Sequence, residues 1–207
     1  MAIDRVTSDL TISADGYSAG LHQTQDRPFG DDGGDRWGRR VHAWMFDTPG
    51  ENRAEVDRLN EAGAFIMGRN MFGPVRGAWD RPWNGWWGDD PPFHLPVLVL
   101  THHPRPPLAC RGGTTFTFVT DGLEEALAQA QAAADGRDVA IAGGAGVARQ
   151  CIAAGVVDEI QLHLVPVLLG RGVRPFDDET PNLHLEQVSV VDAPGVVHLT
   201  SRRVSDT

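Results

Sequence analysis

The chain reads as one α/β domain built on a mixed sheet covered by helices, and three observations predict this. Short apolar runs alternate with helical patterns along all 207 residues, with no linker, repeat or low-complexity tract. The runs Ala64 to Met67, Pro96 to Thr101 and Val139 to Ala142 are apolar throughout, as in parallel strands buried on both faces. The runs Leu183 to Val191 and Val196 to Val204 flank Ala193-Pro194-Gly195, a hairpin signal that makes the C-terminal end antiparallel.

Taken in order, Val6 to Ile12 alternates apolar and polar residues like a half-buried strand, and Asp15-Gly16 breaks it. Leu21 to Gly38 is polar and glycine-rich, which suits a mobile loop beside a site. A short helix is expected over Arg39 to Phe46. A stronger helix is expected over Glu51 to Ala62, where Val56, Leu59 and Ala62 share a face, and Gly63 ends it. Ala64 to Met67 leads into a turn or helix start at Gly68 to Phe72. From Gly73 to Pro92 four tryptophans, Trp79, Trp83, Trp86 and Trp87, stand among prolines and glycines, and no regular element fits. A lid over a heteroaromatic ring, core packing and a subunit interface all remain open for this segment, here taken as residues 79–93.

Pro96 to Thr101 and Thr115 to Val119 are the next strands. Asp121 is a plausible N-cap for an alanine-rich helix over Leu123 to Ala134. A strand over Val139 to Ala142, a helix over Val147 to Ala154, a strand over Val156 to Val165 and the hairpin strands Leu183 to Val191 and Val196 to Val204 complete the domain.

Composition excludes several chemistries. All eighteen basic residues are arginine. Without lysine there is no Schiff base for pyridoxal phosphate or an aldolase, and no Walker A lysine. A formal charge of -10 opposes an extended nucleic-acid surface but leaves room for a small anion pocket of arginines and backbone amides. Cys110 and Cys151 are too few for a secreted disulfide framework. No apolar run approaches the roughly eighteen residues of a membrane span, and the charged N-terminus is unlike a signal peptide, so a cytoplasmic protein is expected.

Residues 139–155, VAIAGGAGVARQCIAAG, carry the most informative pattern. A buried strand, three glycines in four residues and a helix opening set free amides at a helix N-terminus, which favours a phosphate. The GxGxxG spacing is not met, because Arg149 takes the third position. A tight strand-to-helix connection without a ligand is the competing reading. AFIMGRNMF repeats the logic, with Arg69 suited to a bidentate phosphate contact or to an ordinary surface position. Thr101, His102 and His103 end a third strand. Three strand ends together favour a dinucleotide, since open α/β sheets bind ligands at the carboxyl ends of their strands. No metal site is expected, because adjacent histidines on a strand point apart. Gly16-Tyr17-Ser18-Ala19-Gly20 matches GxSxG, yet no helix follows and too little chain precedes it for a hydrolase elbow. Asp31, Asp32 and Asp35 are candidate proton donors in a loop, provided burial raises a pKa there.

The succession SADGYSAG, FIMGRNMFGP, VLVLTHHP, IAGGAGVARQ and VDEIQLHLVPVLLGRGVRPF resembles the dihydrofolate reductase-like superfamily over residues 5–204. It is most similar there to the C-terminal reductase domain of the bifunctional riboflavin-biosynthesis deaminase-reductase. The resemblance implies a three-layer α/β/α sandwich around a mixed central sheet, an NADPH-binding cleft with NADH as the alternative, and a homodimer. It places Gly68, Arg69 and Asn70 beside the ribose phosphate and pyrophosphate, with Asn70 where the family commonly has a basic residue. Thr101 and His102 approach the adenosine ribose. Gly143, Gly144, Ala145, Gly146 and Val147 hold the pyrophosphate. Ser13, Asp15, Gly16 and Tyr17 line the nicotinamide and substrate side, with Val165, Leu168 and Gly170 opposite and Arg171 and Arg174 available to a substrate phosphate. Asp15 and Asp35 are the candidate catalytic acids. The Asp-Asp-Pro segment that grips the riboflavin-pathway substrate does not follow Met67, and Asp89-Asp90-Pro91 comes some twenty residues too late.

The expected function is an NAD(P)H-dependent reductase acting on a small heterocycle or sugar-linked pyrimidine, similar to 5-amino-6-(5-phosphoribosylamino)uracil reductase or dihydrofolate reductase. The alternative is a nucleotide-binding protein of the same fold without turnover, and the third reading is a serine hydrolase using Ser18.

Overall fold

A computed structural model describes residues 5–31 and 40–204. Nine strands form one sheet in the order β4-β5-β3-β2-β6-β1-β7-β9-β8. They are β1 (Val6–Ser13), β2 (Ala64–Gly68), β3 (Pro96–Leu100), β4 (Leu108–Ala109), β5 (Thr115–Val119), β6 (Val139–Ile141), β7 (Glu159–Val165), β8 (Leu185–Ala193) and β9 (Val196–Arg203). The six strands from β5 to β7 in that order pair in parallel, while β4 and the β8–β9 hairpin add the antiparallel borders. The expected mixed sheet is therefore present.

Helices are α1 (Ala43–Phe46), α2 (Arg53–Arg58), α3 (Arg69–Phe72), α4 (Leu123–Ala134) and α5 (Ala145–Ala153). Each strand sends alternate residues to opposite faces, and β2 shows the result. Ala64 and Ile66 join Ala126, Ala130, Ala134, Ala148 and Ile152 of α4 and α5. Phe65 and Met67 face the other way, into Phe72, Phe116, Phe118 and the partly buried Trp79, Trp83 and Trp87. Both faces of the central strands are thus covered, which is why those strands read as continuous apolar runs. The small alanine face of α4 lets it lie close to the sheet, and at Gly63 a Cβ would collide with the Ala134 carbonyl.

The tryptophan segment forms no helix or strand, as expected, and three of its four tryptophans pack in the core on the β2–β3–β5 face. Trp83 Nε1 donates to the Phe72 carbonyl at 3.0 Å, and its ring occupies the space that a Cβ at Gly73 would need.

Several boundaries differ from expectation. The helix expected over Glu51 to Ala62 is regular only over Arg53–Arg58. The N-cap of α4 is Gly122 at φ 95°, a left-handed position that glycine tolerates, so Asp121 does not cap it. Helix α5 starts at Ala145, two residues early, because Val147 and Ala148 both donate to the Gly144 carbonyl. The short edge strand β4 had no sequence signal, since two residues cannot show a period. The loop from Leu21 is irregular through Asp31, and Asp32, Asp35 and Arg39 lie outside the described residues. No helix among the described residues is long and apolar enough to cross a membrane.

Candidate functional site

Because β3, β2, β6, β1 and β7 are neighbours and parallel, their carboxyl ends share one edge of the sheet. That edge gathers most of the residues singled out by sequence into two adjoining groups.

The first group lies at the ends of β2, β3 and β6. Gly143 and Gly144 take φ 107° and 87°, and Gly144 is the N-cap of α5. A Cβ on Gly144 would stand 3.7 Å from the Gly68 amide nitrogen, and one on Gly68 would press on Val147 at 2.9 Å. The two glycine turns therefore lie side by side: Gly144 needs glycine for its positive φ, and Gly68 for its close approach to Val147. No atom lies within 4 Å of a Cβ built at Gly146, so the turn is open there. Arg69 begins α3; its Nε donates to the Val75 carbonyl at 3.1 Å and its Nη1 to Thr101 Oγ1 at 3.3 Å. Its guanidinium lies 3.8 Å over the Trp79 ring, and its Nη2 is buried without a hydrogen-bond partner. Desolvation, then the charge of Arg76, lowers the pKa of Arg69. Asn70 and His102 are exposed, whereas Thr101 is buried and accepts the His103 amide on its hydroxyl at 3.1 Å.

The second group lies at the ends of β1 and β7. Ser13 Oγ donates to Asp15 Oδ1 at 2.6 Å, and the amides of Leu169 and Gly170 donate to Asp15 Oδ1 and Oδ2 at 3.1 and 2.7 Å. Desolvation pushes the Asp15 carboxyl upward, but the Ser13 hydroxyl and the Gly170 and Leu169 amides outweigh it and the pKa falls below the ordinary value. Asp15 is thus an ionised clasp between the two loops, and its geometry is that of an acceptor. Gly16 turns at φ 86°, with a Cβ there 3.1 Å from Arg174 Nη1. Arg174 stacks 4.3 Å over the Tyr17 ring and donates to its hydroxyl at 3.1 Å. Val165 is buried beside Trp44 and Val196, whereas Leu168 is 70% exposed in the same loop. Arg171 contributes, through its charge, to the lowered pKa of Asp31 in the loop that follows Leu21. Asp31 itself bonds His22 at 2.7 Å and Arg27 at 2.5 Å. Those partners hold it ionised, with the His22 bond the largest influence.

Ser18 Oγ donates to the Val173 carbonyl at 3.2 Å, and among the described residues no histidine bonds it. The serine hydrolase reading loses its base at this point.

A buried polar network that sequence reasoning missed underlies the second group. Asn52 Nδ2 donates to the carbonyls of Trp44 and Thr48 at 3.2 and 3.1 Å, so its Oδ1 accepts from His198 Nε2 at 3.0 Å. His198 Nδ1 then accepts from His163 Nδ1–H at 2.7 Å. Burial, followed by the nearby His163, pushes the pKa of His198 down to about 4. The Trp44 ring lies tilted against His163, 4.3 Å between centroids, and its Nε1 donates to Thr11 Oγ1 at 3.3 Å, which seats α1 against Val165. Only the every-second-residue placement of His163 before Val165 hinted at this. Arg76 was missed as well, since nothing in its spacing links it to Arg69.

A family model described as the RibD C-terminal domain matches residues 4–199. The uncharacterized protein YyaP of Bacillus subtilis (strain 168) is 24% identical over 202 residues, spanning 94% of this chain and 93% of its own length. RibD of Acinetobacter baumannii superposes with a TM-score of 0.61 at 16% identity, over 99% of this chain and 59% of that one. Dihydrofolate reductase of Enterococcus faecalis, in a complex with NADP(H), superposes with a TM-score of 0.52 at 16% identity, over 98% of each chain. The three-layer dihydrofolate reductase-like architecture is therefore shared.

Proposed function

Since the chain belongs to the RibD C-terminal domain family, we propose that it is a nicotinamide-dinucleotide-dependent reductase of a small heterocyclic or sugar-linked substrate. The observation that carries this reading is the single sheet edge on which two neighbouring glycine turns adjoin the Asp15–Gly170 clasp. Gly68, Gly143 and Gly144 leave a cradle that a Cβ would fill, Gly146 is open, and α5 directs its first amides there. These features fit a pyrophosphate. Arg69 and Thr101 fit the ribose end of the same molecule.

The bound nicotinamide supplies the hydride; the chain supplies position and field. Ser13 and Asp15 fix the loop at Leu169 and Gly170, so the two walls of the substrate side keep their spacing. Tyr17 and Arg174 form a cationic aromatic surface suited to a planar acceptor bearing an anionic substituent. As Asp15 is held ionised, the proton that completes the reduction comes from water.

Binding of NADPH and NADH to wild type and to Gly144→Glu tests the cofactor site. The wild type is expected to bind at least one dinucleotide. In the variant, a side chain at φ 87° and a carboxylate beside the pyrophosphate should weaken that binding by 100-fold or more, on the order of 3 kcal/mol. Equal binding by both proteins would remove the glycine turn from the reading.

A further inference from the structure

One face of the sheet is buried yet polar. Thr7, Thr11, Gln161, His163, His198 and Thr200 lie on it, brought together by the pairing of β1 with β7 and of β7 with β9. Such a face is stable only when its donors and acceptors are matched, so its protons can be counted. Asn52 turns its amide Nδ2 to the Trp44 and Thr48 carbonyls, so its oxygen faces His198 Nε2 and that nitrogen carries a hydrogen. Nδ1 of the neutral His198 ring is then an acceptor, and His163 Nδ1, 2.7 Å away, donates to it. The remaining nitrogen, His163 Nε2, lies 3.6 Å from Asp9 Oδ1, and the two side chains are 2% and 14% exposed. Both of these atoms are buried without a hydrogen-bond partner. With a neutral ring and an ionised Asp9, two lone pairs would face each other away from water, at the full desolvation penalty of each.

We infer that Asp9 and His163 hold a buried proton between them at neutral pH, with His163 an imidazolium between the Asp9 carboxylate and the His198 acceptor, and that this proton seats α1. An imidazole is ordinarily the stronger base, at about 6.5 against about 3.9 for an aspartate, so the shared proton rests on the ring. Among the described residues Asp9 is the only carboxylate within 4.0 Å of His163. The other charged groups around the network are engaged elsewhere. Glu159, on the same face of β7, pairs with Arg5 and Arg202, while Glu55 and Arg58 of α2 pair with each other and act on His198 with opposite signs. His198 registers the neighbouring charge, since His163 follows burial among the influences that keep it neutral. Above the ring lies Trp44 of α1, which packs with Val165 and Val167 where β7 enters the loop that Asp15 clasps. Loss of the proton at alkaline pH sets a bare nitrogen against a buried carboxylate beneath Trp44, and α1 loses its seat.

Nitrogen-15 NMR of the histidine side chains in the whole protein reads the proton directly, with His163 and His198 assigned through their backbone connectivities. At pH 7.5 a free imidazole is about nine-tenths neutral. In the wild type His163 should nevertheless carry hydrogens on both ring nitrogens, and His198 on Nε2 alone. Asp9→Asn replaces the carboxylate by an amide that can donate to Nε2, so in that variant His163 should become neutral with its hydrogen on Nδ1. Raising the pH of the wild type from 7.5 to 10 should shift the His163 nitrogens and the Trp44 indole N–H with one midpoint, and Asp9→Asn should show no such step. A neutral His163 in the wild type at pH 7.5 overturns the inference, whether or not Asp9→Asn folds. An imidazolium that persists in a folded Asp9→Asn removes Asp9 as its partner and overturns it as well. An indole signal that stays fixed while His163 titrates contradicts the seating of α1 by the proton.

Discussion

His198 ties stability to pH through geometry that no local sequence pattern announces. Asn52 is fixed by two carbonyl acceptors, so His198 must donate from Nε2 and accept at Nδ1, the neutral form. Its pKa is about 4 in the folded chain against an ordinary 6.5. Between those values the unfolded chain binds a proton that the native one refuses, so stability falls as pH is lowered through that window. The contribution is complete above pH 6.5 and lost below about 4, worth roughly 3 kcal/mol. Urea denaturation of wild type and His198→Asn at pH 7, 5.5 and 4 reads it directly. The wild type should lose more stability on acidification than the variant, and parallel losses would show that His198 does not set the slope. Asp15 shows the same point for the site. As a sequence position it was a candidate acid, but the amides that ionise it arrive from residues 169 and 170, more than 150 positions away. Proton-donor roles depend on such distant partners, which is why they were the least legible part.

At the level of elements, legibility followed burial. Strands β2, β3, β5 and β6 and helix α4 are covered on an apolar face or on both, and their residues announced them nearly to the boundary. Helix α2 was overextended because Val56 and Leu59 pack on the Trp44, Val165 and Val196 cluster whereas Ala62 belongs to the cluster on the β2–β3–β5 face, so the three do not share one helical face. The tryptophan segment had no period to read, since its order comes from ring packing. Phe72 meets Trp79, Phe116 and Phe118 edge-on at 6.0, 5.1 and 5.2 Å between centroids. Gly73→Ala tests that packing. Its Cβ would collide with the Trp83 indole, and relieving the clash should cost about 1–3 kcal/mol and disturb the Trp83 to Phe72 hydrogen bond. A melting temperature equal to wild type would mean that the segment yields freely and does not act as core.

Across the whole molecule, one edge of a nine-stranded sheet holds everything the proposed chemistry needs. Parallel pairing from β3 to β7 is what aligns five strand ends, and a hairpin sheet of the same length would scatter them between two edges. The glycine turns proposed to hold the cofactor were readable from sequence because they follow strands within a few residues. On the proposed substrate side, residues 13–17 and 165–174 were named only through the family resemblance, because the contacts that join them span almost the entire chain. The central claim is hydride transfer, and the most direct measurement is the consumption of NADPH by the purified protein, with NADH in parallel, in the presence of sugar-linked pyrimidine, pteridine and aldehyde acceptors. The account predicts acceptor-dependent oxidation of the dinucleotide that Gly144→Glu abolishes. A dinucleotide that binds tightly but is never oxidised with any acceptor would contradict it, and would leave a nucleotide-binding protein on a reductase fold.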